Sequence, residues 1–249
     1  MTTQISPTVF FDLLTIASII KRLVLIVFVD LEGLSTMDRT LYWMPGTCAL
    51  AVHVALEQIG APYKSAAVGR DELKSPSYLA LNPSGVVPTL VENGEPLVEA
   101  GAILLHLTDL HSGSGLGPAV GEPERMEFYR WIAFLTGTMH PHFWPFFFPE
   151  RYAAPPEMHA EVLLAAQKRI AADWVMIEAH LEGRDWLVGD APTVADGMLL
   201  PIARWSMRLD SPPTNQPQLA AYLTRLEAWP PAVRALAAQD LQPLFGSTP

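Results

Sequence analysis

The sequence predicts a small α/β domain followed by a larger all-helical domain. Strand-like and helix-like segments alternate in the order β-α-β-α-β-β-α between Thr40 and Leu110, as in a small α/β domain. A Gly/Ser-rich segment at His111–Pro118 then interrupts this pattern, and every later segment has apolar residues at helical spacing. We therefore expect the α/β domain at residues 37–112 and the helical domain at residues 119–249.

Turn and cap residues define the first elements of the α/β domain. Pro45 and Gly46 turn the chain after a short apolar run, and Gly60 ends a helical pattern. Pro76 follows Ser75 at the first position of a helix, where the missing N–H of proline is tolerated. The expected elements are a strand at Thr40–Met44, a helix at Cys48–Ile59, a strand at Pro62–Val68 and a short helix from Pro76.

A β-hairpin completes the predicted sheet. Asn93-Gly94 lies between the apolar runs Thr89–Glu92 and Leu97–Glu99, and Asn-Gly between such runs is a strong hairpin signal. The second run leads directly into a helical segment at Ala100–Leu110.

Helical spacing and one capping motif define the second domain. Thr193-Val194-Ala195-Asp196 has the S/T-x-x-acid form of a capping box and precedes an apolar helix. The other predicted helices cover Glu122–Met139, Met158–Leu181, Pro217–Ala228 and Pro231–Gln239.

Composition excludes several classes of function. With 16 basic and 26 acidic residues, a net charge of −10 disfavours binding to nucleic acid or to an anionic membrane surface. Half of the residues are apolar and 17% are charged, which predicts an ordered globular protein. Cys48 is the only cysteine, so an intramolecular disulfide and a zinc site of several thiolates are excluded. A single thiol is typical of a reducing compartment, and we expect a cytoplasmic protein.

Residues 1–36 match neither predicted domain. Val9–Asp30 is strongly apolar, but Lys21 and Arg22 interrupt it centrally, where each costs roughly 2.5–3.5 kcal/mol in a membrane-spanning helix. No basic residue precedes the apolar run and no small-x-small cleavage site follows it, which argues against a signal peptide. We interpret residues 1–36 as an over-extended apolar start outside the core fold. An extra helix packed on the body and a membrane-associating segment are the alternatives.

Four motifs carry a resemblance to a known family. They are P-G-T-C-A-L at 45–50, N-P-S-G-V-V-P at 82–88, L-V-E-A-G-A-I at 97–103 and T-M-H-P-H-F-W-P-F-F at 138–147. In this order they resemble the cytosolic glutathione S-transferases, and most closely their bacterial, cysteine-bearing (beta-type) branch. The resemblance spans Arg39 to Phe245. It implies a thioredoxin-like N-terminal domain that binds glutathione and an all-helical C-terminal domain that binds an electrophile.

The position of Cys48 predicts a role in chemistry. It follows a Pro-Gly turn at the start of a helix, where free N–H groups and the helix dipole favour a thiolate and lower the thiol pKa. In the resembled branch this cysteine lies beside the glutathione sulfur, and it either hydrogen-bonds the thiolate or forms a mixed disulfide with it. Thr47 offers a hydroxyl to the sulfur as a second catalytic candidate. A buried, unreactive thiol is the structural alternative.

The resemblance also assigns glutathione-binding roles to four residues near the hairpin. It implies a cis Val87–Pro88 bond that leaves the Val87 backbone to pair with the cysteinyl part of glutathione. It places Glu99 at the α-ammonium of the γ-glutamyl group and the Ala100 N–H at its α-carboxylate. The family usually has serine at the position of Ala100, so we expect weaker glutathione binding. Each role has a structural alternative. For Pro88 it is an ordinary trans bond in a turn, and for Glu99 it is a charge that serves only to stabilise the N-terminal end of the helix that follows it.

His140 is the third predicted catalytic residue. It matches the histidine that the cysteine-bearing branch directs at the glutathione sulfur, as a hydrogen-bond donor or as a proton carrier with a pKa of about 6.5. His142 is less favoured, and H-x-H without a third ligand does not predict a metal site. The aromatic run nearby forms either core or the wall of an electrophile pocket. The predicted pocket residues are Phe143, Trp144 and Phe147.

The resemblance thus predicts an enzyme that uses glutathione as co-substrate and no metal. It implies conjugation of the glutathione thiolate to apolar electrophilic small molecules, as in detoxification, by a homodimer. Two alternatives remain open. One is a glutathione-dependent thiol–disulfide or peroxide reductase with Cys48 as nucleophile, and the other is a non-catalytic binding module of the same fold.

Overall fold

The structure is a computed structural model that describes residues 38–246 of the chain. The interpretations of residues 1–36 therefore lie outside the described residues. Within 38–246 the elements follow the order β-α-β-α-β-β-α and then helices alone, which confirms the predicted fold class. No helix of this described part has the length and apolarity that crossing a bilayer requires.

A mixed sheet of four strands in the order β2-β1-β3-β4 forms the first half. The strands are β1 (Arg39–Trp43), β2 (Lys64–Ala67), β3 (Thr89–Glu92) and β4 (Glu95–Val98). β1 is parallel to β2 and antiparallel to β3, and β3 pairs with β4 as the predicted hairpin. Asn93 and Gly94 have φ of 52° and 88°, as the two central residues of a tight hairpin turn require.

Three helices cover this sheet: α1 (Ala49–Ile59), α2 (Pro76–Leu81) and α3 (Ala100–Leu110). Every residue of α1 from Ala49 to Leu56 is buried, because the helix packs between the sheet and helices of the second half. Gly60 ends α1 in the left-handed region at φ 72°, and its N–H bonds the Leu56 carbonyl. The predicted end of this helix at Ile59 is confirmed, and its first residue is Ala49, one position after the predicted start at Cys48.

The second half consists of α4 (Arg125–Phe134), α5 (His140–Phe147), α6 (His159–His180), α7 (Val194–Ser206), α8 (Pro217–Ala228) and α9 (Pro230–Ala238). α7 and α9 pack against α1, and α5 packs against α6. The Gly/Ser-rich segment at residues 111–118, between the two halves, packs against the rest of the molecule. Leu116 is buried within it, and its carbonyl accepts the Val194 N–H at 2.8 Å.

Several predicted helix boundaries need correction. α4 begins at Arg125, three residues after the predicted start at Glu122, and α6 is one residue shorter at each end than the predicted Met158–Leu181. The helix predicted at Glu122–Met139 is α4 followed by a π-helical turn at Leu135–Met139, in which the His140 N–H bonds the Leu135 carbonyl five residues earlier. This wider turn leads directly into α5, so helical backbone continues past the predicted end. The last helix begins one residue earlier than predicted, at Pro230. The spacing of apolar residues identifies helices well but does not reveal where a turn widens.

Candidate active site at the start of helix α1

Cys48 caps the N-terminal end of α1 and is largely buried, with 8% of its surface exposed. Its Sγ donates to the Val87 carbonyl oxygen at 3.8 Å. This contact joins the turn after β1 to the segment before β3, which is how the fold brings two of the sequence motifs together. The predicted position of Cys48 at a helix start is confirmed.

The expected lowering of the Cys48 pKa is wrong. Burial raises the pKa of the thiol to about 12, the backbone hydrogen bond at Cys48 opposes this only in part, and the Glu99 carboxylate adds to it. The N–H groups of the first helical turn are also already used. Leu50 N–H donates to the Thr47 carbonyl at 3.2 Å and Ala51 N–H to the Cys48 carbonyl at 3.1 Å. At neutral pH Cys48 is therefore a protonated thiol that donates a hydrogen bond.

Thr47 uses its hydroxyl inside the turn. Its Oγ1 donates to the Met44 carbonyl at 2.7 Å and accepts the Ala49 N–H at 3.4 Å. A hydroxyl has a single proton to donate, so in this arrangement Thr47 has none left for a sulfur atom. Its observed contacts stabilise the turn that holds Cys48.

The Val87–Pro88 peptide bond is cis, as the resemblance implied. The segment before it is held by Tyr78 Oη and Asn82 Nδ2, which donate to the Val86 carbonyl at 2.6 and 2.8 Å. The Val87 N–H forms no backbone hydrogen bond within residues 38–246. This free donor beside Cys48 is available to an extended peptide-like ligand.

Glu99 and Ala100 form the corner between β4 and α3. Glu99 is exposed and has φ 69° and ψ 113°, a conformation that costs a non-glycine residue energy. Ala100 is the first residue of α3 and is buried, at the end where helical N–H groups favour an anion. Glu99 acts electrostatically on the Cys48 thiol, which shows that this corner belongs to the same neighbourhood.

His140 follows the π-helical turn and begins α5. Its ring centroid lies 4.9 Å from that of Trp205 and 6.0 Å from that of Trp144, almost parallel to the latter. Burial lowers the pKa of His140 to about 4. The expected proton carrier with a pKa near 6.5 is therefore corrected to an imidazole that is neutral at physiological pH.

Trp205 is the site residue that sequence reasoning missed. It lies near the end of α7, and its Nε1–H donates to the Gly46 carbonyl oxygen at 2.7 Å. Trp205 therefore links His140 of the helical half to the turn that carries Cys48. A tryptophan N–H usually finds a partner when its ring is partly buried, but the sequence does not identify a partner 159 positions away.

The predicted pocket residues differ in exposure. Phe143 is completely buried and packs on Trp205 with centroids 5.5 Å apart, so its assignment to the electrophile pocket is corrected to the core. Trp144 and Phe147 are partly exposed. The Phe147 ring lies 5.9 Å from that of Trp205, on the helix that begins at His140. The aromatic run thus contributes to both core and surface.

His142 turns away from His140. Its Nδ1 lies 2.6 Å from Asp173 Oδ2 and joins α5 to α6. Across the described part of the chain, no group of three or more His, Cys, Asp and Glu side chains is arranged to hold a metal ion.

Comparison with protein families gives two matches to this chain. Residues 37–109 match the model described as "Glutathione S-transferase, N-terminal domain", and residues 135–230 match "Glutathione S-transferase, C-terminal domain". A curated relative, glutathione S-transferase GST-4.5 of Xanthomonas campestris pv. campestris, is 34% identical over 201 residues. That alignment covers 81% of this chain and 98% of the relative.

Two solved structures share the fold at similar identity. A sphingomonad glutathione S-transferase complexed with glutathione is 32% identical with a TM-score of 0.72 and covers 82% of this chain and 100% of its own. A beta class glutathione S-transferase of Sphingomonas chungbukensis is 30% identical with the same TM-score and the same coverage of both chains. These comparisons confirm the resemblance to bacterial, beta-type proteins.

Proposed function

The chain belongs to the glutathione S-transferase family and is a transferase, and we propose that it joins the thiolate of glutathione to apolar electrophilic small molecules at the site around Cys48. The observation that carries this choice is the buried Cys48 thiol with its raised pKa. A nucleophilic cysteine must ionise, whereas a protonated thiol is suited to donating a hydrogen bond to another sulfur. Conjugation is therefore favoured over a reductase in which Cys48 attacks.

Glutathione fits the polar groups near Cys48. The free Val87 N–H and its carbonyl pair with the cysteinyl backbone, which brings the ligand's sulfur beside Cys48. Glu99 binds the α-ammonium of the γ-glutamyl group and the N-terminal end of α3 at Ala100 binds its carboxylate. The glutathione-bound sphingomonad protein supports glutathione as co-substrate.

The reaction is a displacement or an addition by the glutathione sulfur. The thiol of glutathione loses its proton to solvent, and the Cys48 S–H turns from the Val87 carbonyl to the new thiolate. Neutral His140 donates a second hydrogen bond. The sulfur then forms a bond to the electrophilic carbon. In a displacement the leaving group departs with the electron pair of its own bond, and in an addition the π electron pair moves to the neighbouring atom, which takes a proton from solvent. Trp144 and Phe147 form the apolar surface for the electrophile.

Further parts of the proposal rest on the family. They are a homodimer, a cytoplasmic location and a role in detoxification. The domain boundaries at 37–112 and 119–249 also stand as proposals, and light scattering of the purified chain tests the dimer.

Calorimetric titration of reduced glutathione into the full chain tests the proposal first. We expect one site per subunit, and a Kd weaker than about 1 mM, or −4.1 kcal/mol, would argue against the site. Conjugation of 1-chloro-2,4-dinitrobenzene and reduction of bis(2-hydroxyethyl) disulfide are then compared in the wild type and in Cys48→Ala. Conjugation that survives in Cys48→Ala supports a positioning role. Disulfide reduction that is present in the wild type and absent from the variant would instead support the reductase.

A further inference from the structure

α5 presents a continuous surface of aromatic rings that begins at His140. Trp144 lies 6.0 Å from His140, and Phe148, four residues further, lies 5.6 Å from Trp144. We define the aromatic surface as the partly exposed rings of His140, Trp144, Phe147, Phe148 and Trp205. It starts beside the Gly46 turn and leads away from it along the helix.

Two arginines lie over this aromatic surface. The guanidinium carbon of Arg208 is 5.3 Å from the centre of the Phe147 ring. That of Arg151 is 4.2 Å from Phe148 and 5.6 Å from Trp144. Both residues are exposed, and within residues 38–246 neither guanidinium has an ion pair or a side-chain hydrogen bond. Their N–H donors are therefore available to a ligand.

Most arginines of the described chain are engaged differently. Seven of them pair with a carboxylate, namely Arg39, Arg125, Arg130, Arg184, Arg204, Arg225 and Arg234. Acidic residues are also abundant, since the chain has 26 of them against 16 basic residues. An arginine without a carboxylate partner beside an aromatic ring is thus unusual within this chain.

Arg208 is the better placed of the two. It follows Trp205 by three residues, and Phe147 beneath it lies 5.9 Å from Trp205. Trp205 in turn contacts His140 and the turn before Cys48. The seven positions from His140 to Phe147 correspond to about 10 Å along the helix. A substituted aromatic ring with its electrophilic carbon at one end and a charged group at the other fits this span.

We propose that the electrophile is an aromatic acid, whose ring packs on the aromatic surface and whose carboxylate or other anionic group pairs with Arg208. This inference rests on the glutathione conjugation proposed above, and it replaces a purely apolar electrophile by one whose apolar ring also carries an anionic group. A guanidinium matches the geometry of a carboxylate and forms paired, charge-assisted hydrogen bonds with it. The net charge of the protein repels anions in general, so a local cation decides whether an anionic substrate binds. A purely apolar electrophile gives the guanidinium no partner.

A matched pair of substrates isolates the anion. 4-Chloro-3,5-dinitrobenzoate and its methyl ester react at the same carbon, but only the first is charged at neutral pH. For each compound kcat/KM of a variant is divided by that of the wild type, which cancels the difference in intrinsic reactivity. For Arg208→Gln we expect about a tenfold loss with the acid and none with the ester. Arg208→Lys keeps the charge and is expected to restore part of the loss.

Two further variants control for charge and location. Arg130→Gln removes the same charge from α4, where the guanidinium lies 4.5 Å from the Trp131 ring, and it should affect neither substrate. Arg151→Gln removes the other cation of the aromatic surface and should have a smaller effect than Arg208→Gln. Equal losses from Arg151→Gln and Arg208→Gln would overturn the assignment to Arg208.

A binding measurement separates this inference from the proposed function. 3,5-Dinitrobenzoate and its methyl ester lack a leaving group and are titrated calorimetrically into the full chain without glutathione. We expect the acid to bind more tightly than the ester, and the difference to disappear in Arg208→Gln. If neither 4-chloro-3,5-dinitrobenzoate nor its methyl ester is conjugated, the proposed function fails. The binding data then still decide whether Arg208 binds the anionic group of an aromatic acid. Conjugation of the ester without any Arg208-dependent preference for the acid would overturn the inference alone.

Discussion

The Sγ of Cys48 lies 3.8 Å from the carbonyl oxygen of Val87, to which it donates a weak hydrogen bond. The contact joins two segments 39 positions apart and places the only thiol of the chain in a desolvated environment. Desolvation outweighs the influence of the helix end, so the pKa of Cys48 rises to about 12 instead of falling. This relationship leaves Cys48 a protonated hydrogen-bond donor, which is the state that its proposed role beside the glutathione sulfur requires.

Thiol reactivity tests this state directly. The rise of the Cys48 pKa from 9.0 to about 12 lowers the thiolate fraction at neutral or mildly alkaline pH by about a thousandfold. We expect iodoacetamide at about pH 8 to alkylate the native protein at least a hundredfold more slowly than the urea-unfolded protein, measured by mass spectrometry. Cys48→Ala provides a blank without any thiol. Similar rates for the native and unfolded protein would contradict the buried, protonated thiol.

Trp205 is expected to position the turn that carries Cys48. Trp205→Phe keeps an aromatic ring but removes the N–H that donates to Gly46 at 2.7 Å. A lost hydrogen bond of about 0.5–1.5 kcal/mol corresponds to a rise of roughly two- to tenfold in KM for glutathione. Steady-state kinetics at varied glutathione measures it. Trp186→Phe is the control, because the Trp186 ring packs on Tyr222 and has no side-chain hydrogen bond in residues 38–246. Unchanged glutathione kinetics in Trp205→Phe would show that the bond does not support the site.

The features that the sequence predicted correctly depend on neighbouring residues. The Asn93-Gly94 turn, the Gly60 helix end and the Thr193 capping box are each set by a few consecutive backbone conformations. All the residues that determine each of these features lie within a few positions of one another in the sequence. For this reason the order of strands and helices was predictable even where the long-range packing was not.

The errors arose where burial depends on distant parts of the chain. Helical spacing puts Phe143 and Phe147 on related faces, yet Phe143 is in the core and Phe147 is partly exposed. The pKa of His140 falls because residues of α7 and α5 cover its ring. The partner of Trp205 lies in the other half of the molecule. Motifs identify these residues as candidates, but desolvation and hydrogen bonding across the fold set their chemistry.

Asp196 is expected to stabilise the helical half through its buried carboxylate. It accepts the N–H groups of Leu187 and Thr193 at 3.0 and 2.7 Å and the Tyr222 hydroxyl at 2.7 Å. Asp196→Asn turns an amide donor toward these donors, and we expect a loss of about 3 kcal/mol in the free energy of unfolding. For a chain of this size that is a decrease of roughly 6–12 °C in Tm by calorimetry. Asp190→Asn, at an exposed position nearby, should leave Tm unchanged. A comparable Tm for both variants would contradict this role.

His140 is expected to make stability depend on pH. Its pKa is lowered to about 4 in the folded protein, whereas an unfolded histidine titrates near 6.5. Between these values the unfolded chain binds more protons, so the free energy of unfolding falls as pH decreases from 6.5 to 4. His140→Asn removes this contribution, which amounts to at most about 1.4 kcal/mol per pH unit. Urea unfolding across this range measures it.

The test compares how steeply the free energy of unfolding changes with pH in the wild type and in His140→Asn. Burial also lowers the pKa values of His53 and His111, so the wild type and His140→Asn both lose stability in acid. Only the difference between the two curves of unfolding free energy against pH is due to the titration of His140. Parallel curves would mean that the ring is protonated in the folded protein as easily as in the unfolded one.

Ala100 offers a gain-of-affinity test of the glutathione site. Ala100→Ser adds a hydroxyl at the first residue of α3, next to the N–H groups assigned to the γ-glutamyl carboxylate. One added neutral hydrogen bond of about 0.5–1.5 kcal/mol should lower the Kd for glutathione by roughly two- to tenfold in calorimetry. Ala102→Ser makes the same change at an exposed position of the same helix and should leave the Kd unchanged. An unaltered Kd in Ala100→Ser would argue against the binding of the carboxylate at this end of α3.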